Sequence, residues 1–366
     1  LALNAQAGVL SEDRADALYH YYDGGGVEID GPSLLVRKSV GEKVSVAASY
    51  YVDTISSASI DVVTTGASPD GYSEERKQYG LGLDYLRGDT TMSVGYSTSD
   101  ENDYQADTLN FTISQDIFGG LTTVTLGYGS GADEVSRRGD DIFAGEVDRN
   151  AYRLGVTQVL TRNLIMALAY EAIADEGYLN NPYRQVRYVD PADPDNWLTQ
   201  GEVYPRTRAS NAVAIRGKYH LPYRAAVSGE YRFFTDDWGV DAHTLEAGYV
   251  QPFGAAWLLD FKYRYYTQQA ADFYSDLFPF ANAQNFLARD KELSTFQSHG
   301  PHVGVTYTFL DRQGERPLKS TANLFLDWYL YNYDDFRDLR ADVPAGTEPL
   351  YDYDAVVVQF FLSLWF

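Results

Sequence analysis

Over most of its length the chain alternates apolar and polar residues with a period of two, and turn residues break the alternation at regular intervals. The last stretch, Tyr351 to Phe366, shows the pattern most plainly. Val356, Val358, Phe360, Leu362, Leu364 and Phe366 share one face, while Val357, Gln359, Phe361, Ser363 and Trp365 share the other. A period of two filled with β-branched and aromatic residues predicts a strand. So apolar a strand needs cover. A barrel closed in lipid provides it, because the last strand pairs with the first and no edge is left.

The same alternation recurs from Ala17 to the end. Tight turns are expected at Gly41, Arg87, Gly119, Thr161, Leu221 and Pro252, with a slightly longer one at Asp311–Pro317. Between them lie Thr64–Ser73, Ala132–Asp148, Asp175–Arg208, Gln269–Glu292 and Asp334–Pro349, four of them long and one of medium length, and Asp23–Gly26, Asp100–Asp103 and Asp236–Gly239, which are tight. The strands number about sixteen, and short turns facing longer loops are the pattern of an outer-membrane barrel. The expected architecture is therefore all-β: a transmembrane outer-membrane β-barrel of about sixteen antiparallel strands, with short periplasmic turns and long extracellular loops. Residues 1–15 are expected as an N-terminal periplasmic segment and residues 16–366 as the barrel.

Composition sharpens this picture. The chain has 31 tyrosines, 2 methionines, no cysteine and a net charge of -23. Amphipathic tyrosine rings suit strands that end at a membrane interface. No run of about eighteen apolar residues exists that would span as a helix. The lack of cysteine excludes a disulfide framework, and the acidity speaks against nucleic acid as a partner. The chain opens with a small-residue stretch and reads as a mature form whose export signal has been removed.

The two faces of the strands differ. The outward face is almost wholly Val, Leu, Ile, Phe and Tyr. Inward, the early strands place small neutral residues such as Gly80, Gly82, Ser93, Gly95, Thr112 and Thr125. The later strands place Arg153, Glu171, Arg216, Lys218, Glu230, Arg232, Glu246, Asp260, Lys262, Arg264 and Asp327 inward. A charge facing lipid at mid-depth would cost about 2–4 kcal/mol, so the charges point to the lumen. They either select a solute or hold a partner, or they pair with one another along a wet wall. The loop Asp175–Arg208 carries Tyr183, Arg184, Arg187, Tyr188, Arg206 and Arg208. It reads as a candidate constriction loop, with its arginines laid against Glu171, Glu230, Glu246 and Asp260, or else as a solvated surface loop. Phe366 is the expected handle for the barrel assembly machinery.

Chemistry is sparse. His299 and His302 form the only histidine cluster, and in a strand i and i+3 face opposite sides. The acidic runs Asp190–Asn196 and Asp100–Asp103 lack the spacing of a calcium loop, and loose divalent bridging to lipopolysaccharide is the plainer reading. No nucleophile elbow, zinc-protease or phosphate-loop motif is present. No dedicated metal site, no cofactor and no enzymatic activity are expected, a surface hydrolase being the weakest of the readings.

Several segments carry a resemblance: Tyr21–Val27, Asp30–Lys38, Val44–Asp53, Ser57–Val62, Asn180–Arg184 and Leu221–Ala225. Together they resemble an uncharacterised family of Gram-negative outer-membrane proteins, a domain of unknown function. The resemblance implies a transmembrane barrel encoded near a small lipoprotein, a thioredoxin-like protein and a flavin-attaching transferase. The expected function is a porin-like conduit for small hydrophilic solutes or ions. The alternative is a barrel scaffold that hosts a small lipoprotein or a periplasmic redox partner in an envelope complex. The expected location is the bacterial outer membrane, in contact with its lipid and lipopolysaccharide.

Overall fold

A computed structural model describes residues 8–56, 73–140, 142–312 and 318–366. The expected loop Thr64–Ser73 and the segment Ser57–Val62 fall wholly or mostly outside the described residues, as do residues 313–317 of the turn after Asp311. The strands follow one another as hairpins that open at one end of the molecule. They are β1 (Arg14–Gly24) with β2 (Val27–Val40), β3 (Val44–Ser56) with β4 (Ser73–Arg87), and β5 (Thr90–Asp100) with β6 (Tyr104–Ile117). Next come β7 (Thr122–Val135) with β8 (Gly145–Thr161), and β9 (Leu164–Gly177), whose partner appears only after a second, separate hairpin of β10 (Gln185–Asp190) and β11 (Asp193–Gly201). That partner is β12 (Thr207–His220). The set ends with β13 (Ala226–Asp236) and β14 (Asp241–Phe253), β15 (Trp257–Gln268) and β16 (Phe296–Arg312), and β17 (Leu318–Arg337) and β18 (Leu350–Trp365).

Sixteen of these strands close into one antiparallel barrel, β1 pairing with both β2 and β18. The closing ladder sets Tyr19 opposite Phe360 and Ala17 opposite Leu362, so the terminal strand is covered by the first one. Every barrel strand has at least eleven residues, enough to cross a bilayer tilted. One end carries the tight turns, the start of β1 and the end of β18, and the other carries the longer connections. At the latter end the β1–β2 turn is made by Gly25 and Gly26 with φ of 62° and 84°, a left-handed pair that only glycine adopts without cost.

The outer wall is apolar: Leu81, Leu83, Phe111, Leu126, Leu168, Val213, Leu245 and Phe360 are all exposed. In water such a surface would be an aggregation hazard; in a bilayer it is the solvent-matched face. Its upper limit, toward the long loops, is marked by a repeated pair. Tyr96 donates its hydroxyl to Asp107 at 2.6 Å, Tyr128 to Asn150 at 2.7 Å and Tyr170 to Asn211 at 2.6 Å. Tyr231 meets His243 Nδ1 at 2.8 Å, Tyr263 meets His299 Nδ1 at 2.7 Å, and Trp328 donates its indole N–H to Asp354 at 3.1 Å. Tyr19 donates likewise to Asp30. In each case the acceptor sits on the hairpin partner two positions nearer the long loops than the residue opposite the ring. The remaining hairpin, β3–β4, sets Tyr50 against Tyr79 with ring centres 5.1 Å apart and places Lys77 at the equivalent position, paired outward with Glu75 at 2.5 Å. An aromatic ring with a polar tip at one height on all eight hairpins is a membrane-interface girdle, and it accounts for part of the tyrosine excess.

Candidate functional site

The lumen wall is built by the strand positions opposite the lipid face. All eleven charged residues expected there alternate with outward apolar neighbours, as Glu171 does with Tyr170 and Arg264 with Tyr263. Many are engaged with one another. Arg153 donates to Glu171 at 2.8 Å, Arg216 pairs with Glu230, Lys262 lies 3.6 Å from Asp260, and His302 Nδ1 is 2.7 Å from Asp327. Arg232, Glu246 and Arg264 have no ion pair among the described residues, although Glu246 lies opposite Arg264 in the ladder. Arg232 and Arg264 instead lie over the rings of Phe234 and Tyr266, at 5.6 and 5.1 Å.

The arginines of the long connection find partners other than the lumen acids. Glu171, Glu230 and Asp260 already have basic partners on neighbouring positions of the wall. Moreover, β9 runs to Gly177 and β12 starts at Thr207, so Arg208 is a wall residue; it pairs with Asp236 and covers Trp238 at 4.5 Å. Arg206 is exposed and gives its carbonyl to the Gly177 N–H at 2.8 Å. Between these strands the β10–β11 hairpin docks on two other loops. Val189 and Phe278 exchange backbone bonds with Phe278 and Arg187 at 3.0 and 2.9 Å, and Val203 and Leu287 do the same with each other at 3.0 and 2.8 Å. Tyr188 packs against a buried cluster of Val186, Phe278 and Leu287.

At the centre of this cap Arg187 is fully buried and bonded to Asp276 and Glu348, one from each neighbouring loop. Arg289, also buried, adds a bond to Asp276 at 3.1 Å and donates to the Arg337 carbonyl at 2.8 Å. Charges removed from water this completely hold only when every partner is present. Burial pushes the Glu348 carboxyl up, but the guanidinium of Arg187 overcomes this and holds it below the usual range. The three loops therefore form one unit.

Residues 178–184 carry that unit across the bore. Tyr183 accepts from the Arg138 backbone N–H at 2.8 Å and reaches Asp103 on the β5–β6 connection. Its neighbour Arg184 pairs with Asp290 on the β15–β16 connection. In the ring these two connections stand opposite each other, with eight strands on either side. Beneath the segment lies a cavity of about 990 Å³ whose wall includes Glu74, Glu101, Arg149, Asp175, Tyr266 and Phe296. Glu74, above the girdle, has its pKa pushed up to about 6 by burial and by Asp103 and Glu101.

A third kind of wall was not anticipated. On β17 the face that carries Asp327 also carries Phe325, Tyr329, Tyr331 and Tyr333, and on β18 the lumen face carries Tyr351, Tyr353 and Phe361. Tyr331 and Tyr353 are stacked at 4.6 Å, 11° from parallel. The signal was in the sequence, since these residues share the parity of Asp327. His299 and His302 face opposite sides, to the lipid girdle and the lumen respectively. Phe366 is exposed, with Lys38 Nζ 4.6 Å from its ring centre.

Among solved structures the chain is similar to a bacterial polysaccharide outer membrane secretin. The TM-score is 0.52 at 9% identity, over 98% of this chain and 100% of that one. It is also similar to the siderophore receptors PirA of Acinetobacter baumannii (TM-score 0.47, 12% identity, 97% of this chain and 60% of that one) and of Pseudomonas aeruginosa (0.43, 10%, 97% and 63%). At such identities the likeness to the first is one of fold, that of an outer-membrane barrel. No curated protein matches the sequence. The family model described as "Protein of unknown function (DUF3570)" matches residues 59–316, more than half of the chain, and the protein belongs to that family.

Proposed function

We propose that the protein is an integral outer-membrane conduit for small hydrophilic solutes, with its long loops outward and its mouth narrowed by the three-loop cap. The observation that carries this reading is the division of the wall. A closed sixteen-strand barrel is apolar outside, bounded by a girdle, and polar and charged inside, a surface suited to water or a hydrophilic solute. The segment 178–184, bridged to Asp103 and Asp290, restricts what passes without removing the lumen beneath it. Single-channel recording of purified protein in planar bilayers tests the reading. Discrete conductance steps support it, and a silent bilayer with folded protein rejects it.

A second reading is supported by the terminal end. There a cavity of about 390 Å³ is rimmed by Arg14, Arg224 and Lys319. Of these cations Arg14 is paired with Asp16 at 2.6 Å, while Arg224 and Lys319 suit an acidic partner, such as a small lipoprotein or redox protein seated from below. Gentle detergent purification from the native host would bring such a partner along; a lone barrel counts against it. Neither reading calls on catalysis.

A further inference from the structure

The aromatic wall runs from the cavity beneath the cap to Tyr329 and resumes at Phe325 toward the terminal end, with Asp327 between the two runs. Tyr266 and Phe296 line the cavity beneath the cap and lie 5.5 Å apart, ring centre to ring centre. Phe296 is 6.1 Å from Tyr331, which stacks on Tyr353, and Tyr22 of β1 reaches Tyr353 from the other side. Tyr329 follows at 6.3 Å from Tyr331. Lower down, Phe325 meets Phe361 at 5.1 Å, and Phe361 and Trp365 line the cavity at the terminal end. Glycines on β16 seat two of the rings: a Cβ at Gly300 would lie 2.6 Å from the Tyr329 ring, and one at Gly304 would lie 3.0 Å from that of Phe325. Each ring fills the space that a side chain at its glycine would take.

We infer that this track binds the pyranose rings of a neutral oligosaccharide as it passes along the lumen. The inference rests on the conduit reading and names its substrate class. Three features choose the ligand. First, the rungs through the middle of the track are tyrosines, amphipathic rings whose faces accept an apolar surface and whose hydroxyls hydrogen-bond. A sugar ring offers that combination, with C–H groups on its faces and hydroxyls on its rim, whereas an acyl chain needs no hydroxyls. Second, Tyr329, Tyr331 and Tyr353 are only part-buried, so part of each ring remains open to a ligand although Tyr331 and Tyr353 cover one face of each other. Third, the flank holds groups of both signs that make no ion pair among the described residues. Arg264 is beside Tyr266, with Glu246 and Arg232 on the adjoining strands. Guanidinium groups donate and a carboxylate accepts, which matches hydroxyls better than it matches a net charge.

Isothermal titration of detergent-solubilised protein with maltohexaose, cellohexaose and chitohexaose tests the track, alongside block of bilayer currents by the same sugars. Binding of at least one hexasaccharide is expected, weakened about tenfold or more, near 1.4 kcal/mol, in Tyr331→Ala with Tyr353→Ala. Tyr331→Phe keeps the ring face and retains most of the affinity, and Glu246→Gln with Arg264→Gln weakens it several-fold. Arg340→Gln, out on the cap, changes nothing. Fast migration in unheated detergent gels checks that each variant is folded. The inference is overturned if no neutral hexasaccharide binds the folded wild type. It is equally overturned if only an oligogalacturonate binds, or if a polyethylene glycol of matched size blocks as well in every variant. A silent bilayer with sugar binding intact removes the conduit and leaves the track; conductance without block or binding removes the track and leaves the conduit.

Discussion

Arg187 and Glu348 lie 161 residues apart in sequence, yet each is almost wholly buried against the other. The pair joins the β10–β11 hairpin to the loop before β18, and Asp276 brings in the loop after β15. Removing one member of a buried ion pair strands the other and costs about 3–5 kcal/mol. Here the cost falls on the cap, because the barrel ladders do not depend on it. Arg187→Met is therefore expected to leave the barrel folded and heat-modifiable while the loops open. The checks are faster protease cleavage within residues 178–206 and a larger single-channel conductance. An unchanged cleavage pattern would show that the pair does not hold the cap shut.

Two carboxylates at the mouth respond to pH in opposite senses. The pKa of Glu74 is raised to about 6 from 4.5, so the folded mouth binds its proton more tightly than the open chain does. Its favourable contribution is present below about pH 4.5 and is lost as pH rises through 6. Glu348 is depressed, so its contribution is present above about pH 4.5 and disappears as pH falls through its folded value. Amide exchange at Asn102, whose N–H donates to Glu74 at 3.3 Å, should quicken beyond the intrinsic base-catalysed trend between pH 4.5 and 6. Glu74→Gln should abolish that excess. If exchange in the variant keeps the same pH profile, the shift at Glu74 is not what governs this rim.

Gly300 is a packing prediction. Its absent side chain is filled by the Tyr329 ring, and Gly300→Ala would push that ring off the wall. Overpacking of this kind costs about 1–3 kcal/mol. At Gly82 a Cβ would meet only Ala47 at 3.6 Å, an ordinary contact, so Gly82→Ala should be near neutral. Urea unfolding in lipid vesicles measures both, and equal effects at the two glycines would deny the seat its role.

What the sequence disclosed divides along the range of the interactions. Strands, faces and barrel closure were legible because a period of two is local, and a charge such as Arg264 is costly on the wrong face. The Asp175–Arg208 segment was legible only as an arginine-bearing loop. Its partners Asp276, Asp290 and Glu348 come from other loops, and nothing in the spacing of acidic residues distinguishes them from solvated ones. The strands β10 and β11 were hidden in the same segment, since Asp193, Pro194, Asp195 and Asn196 read as turn residues although they lie in β11. The aromatic track was a different kind of omission. Tyr329 and Tyr331 share the parity of Asp327 and so belong inside, but only the charged residues of that face were followed inward.

The girdle fixes the depth of every outward residue, and β4 and β5 allow that depth to be measured. Leu81 is 63% exposed and stands opposite Tyr96 in the ladder, on the lipid side of the Tyr96–Asp107 pair. Thr98 lies two positions beyond Tyr96, level with Asp107. An arginine within the apolar belt costs about 2–4 kcal/mol at its middle and about 0–1 kcal/mol near an interface. Leu83→Arg, one outward step deeper than Leu81, should therefore be the most destabilising of three substitutions, Leu81→Arg intermediate, and Thr98→Arg nearly silent with Asp107 beside it. Because the cost arises from lipid rather than from packing, the ordering should flatten when unfolding is measured in a shorter-chain lipid that thins the belt. Equal losses at Leu83 and Thr98 would mean that the ring of Tyr96, Tyr128, Tyr170 and their counterparts does not mark the membrane boundary.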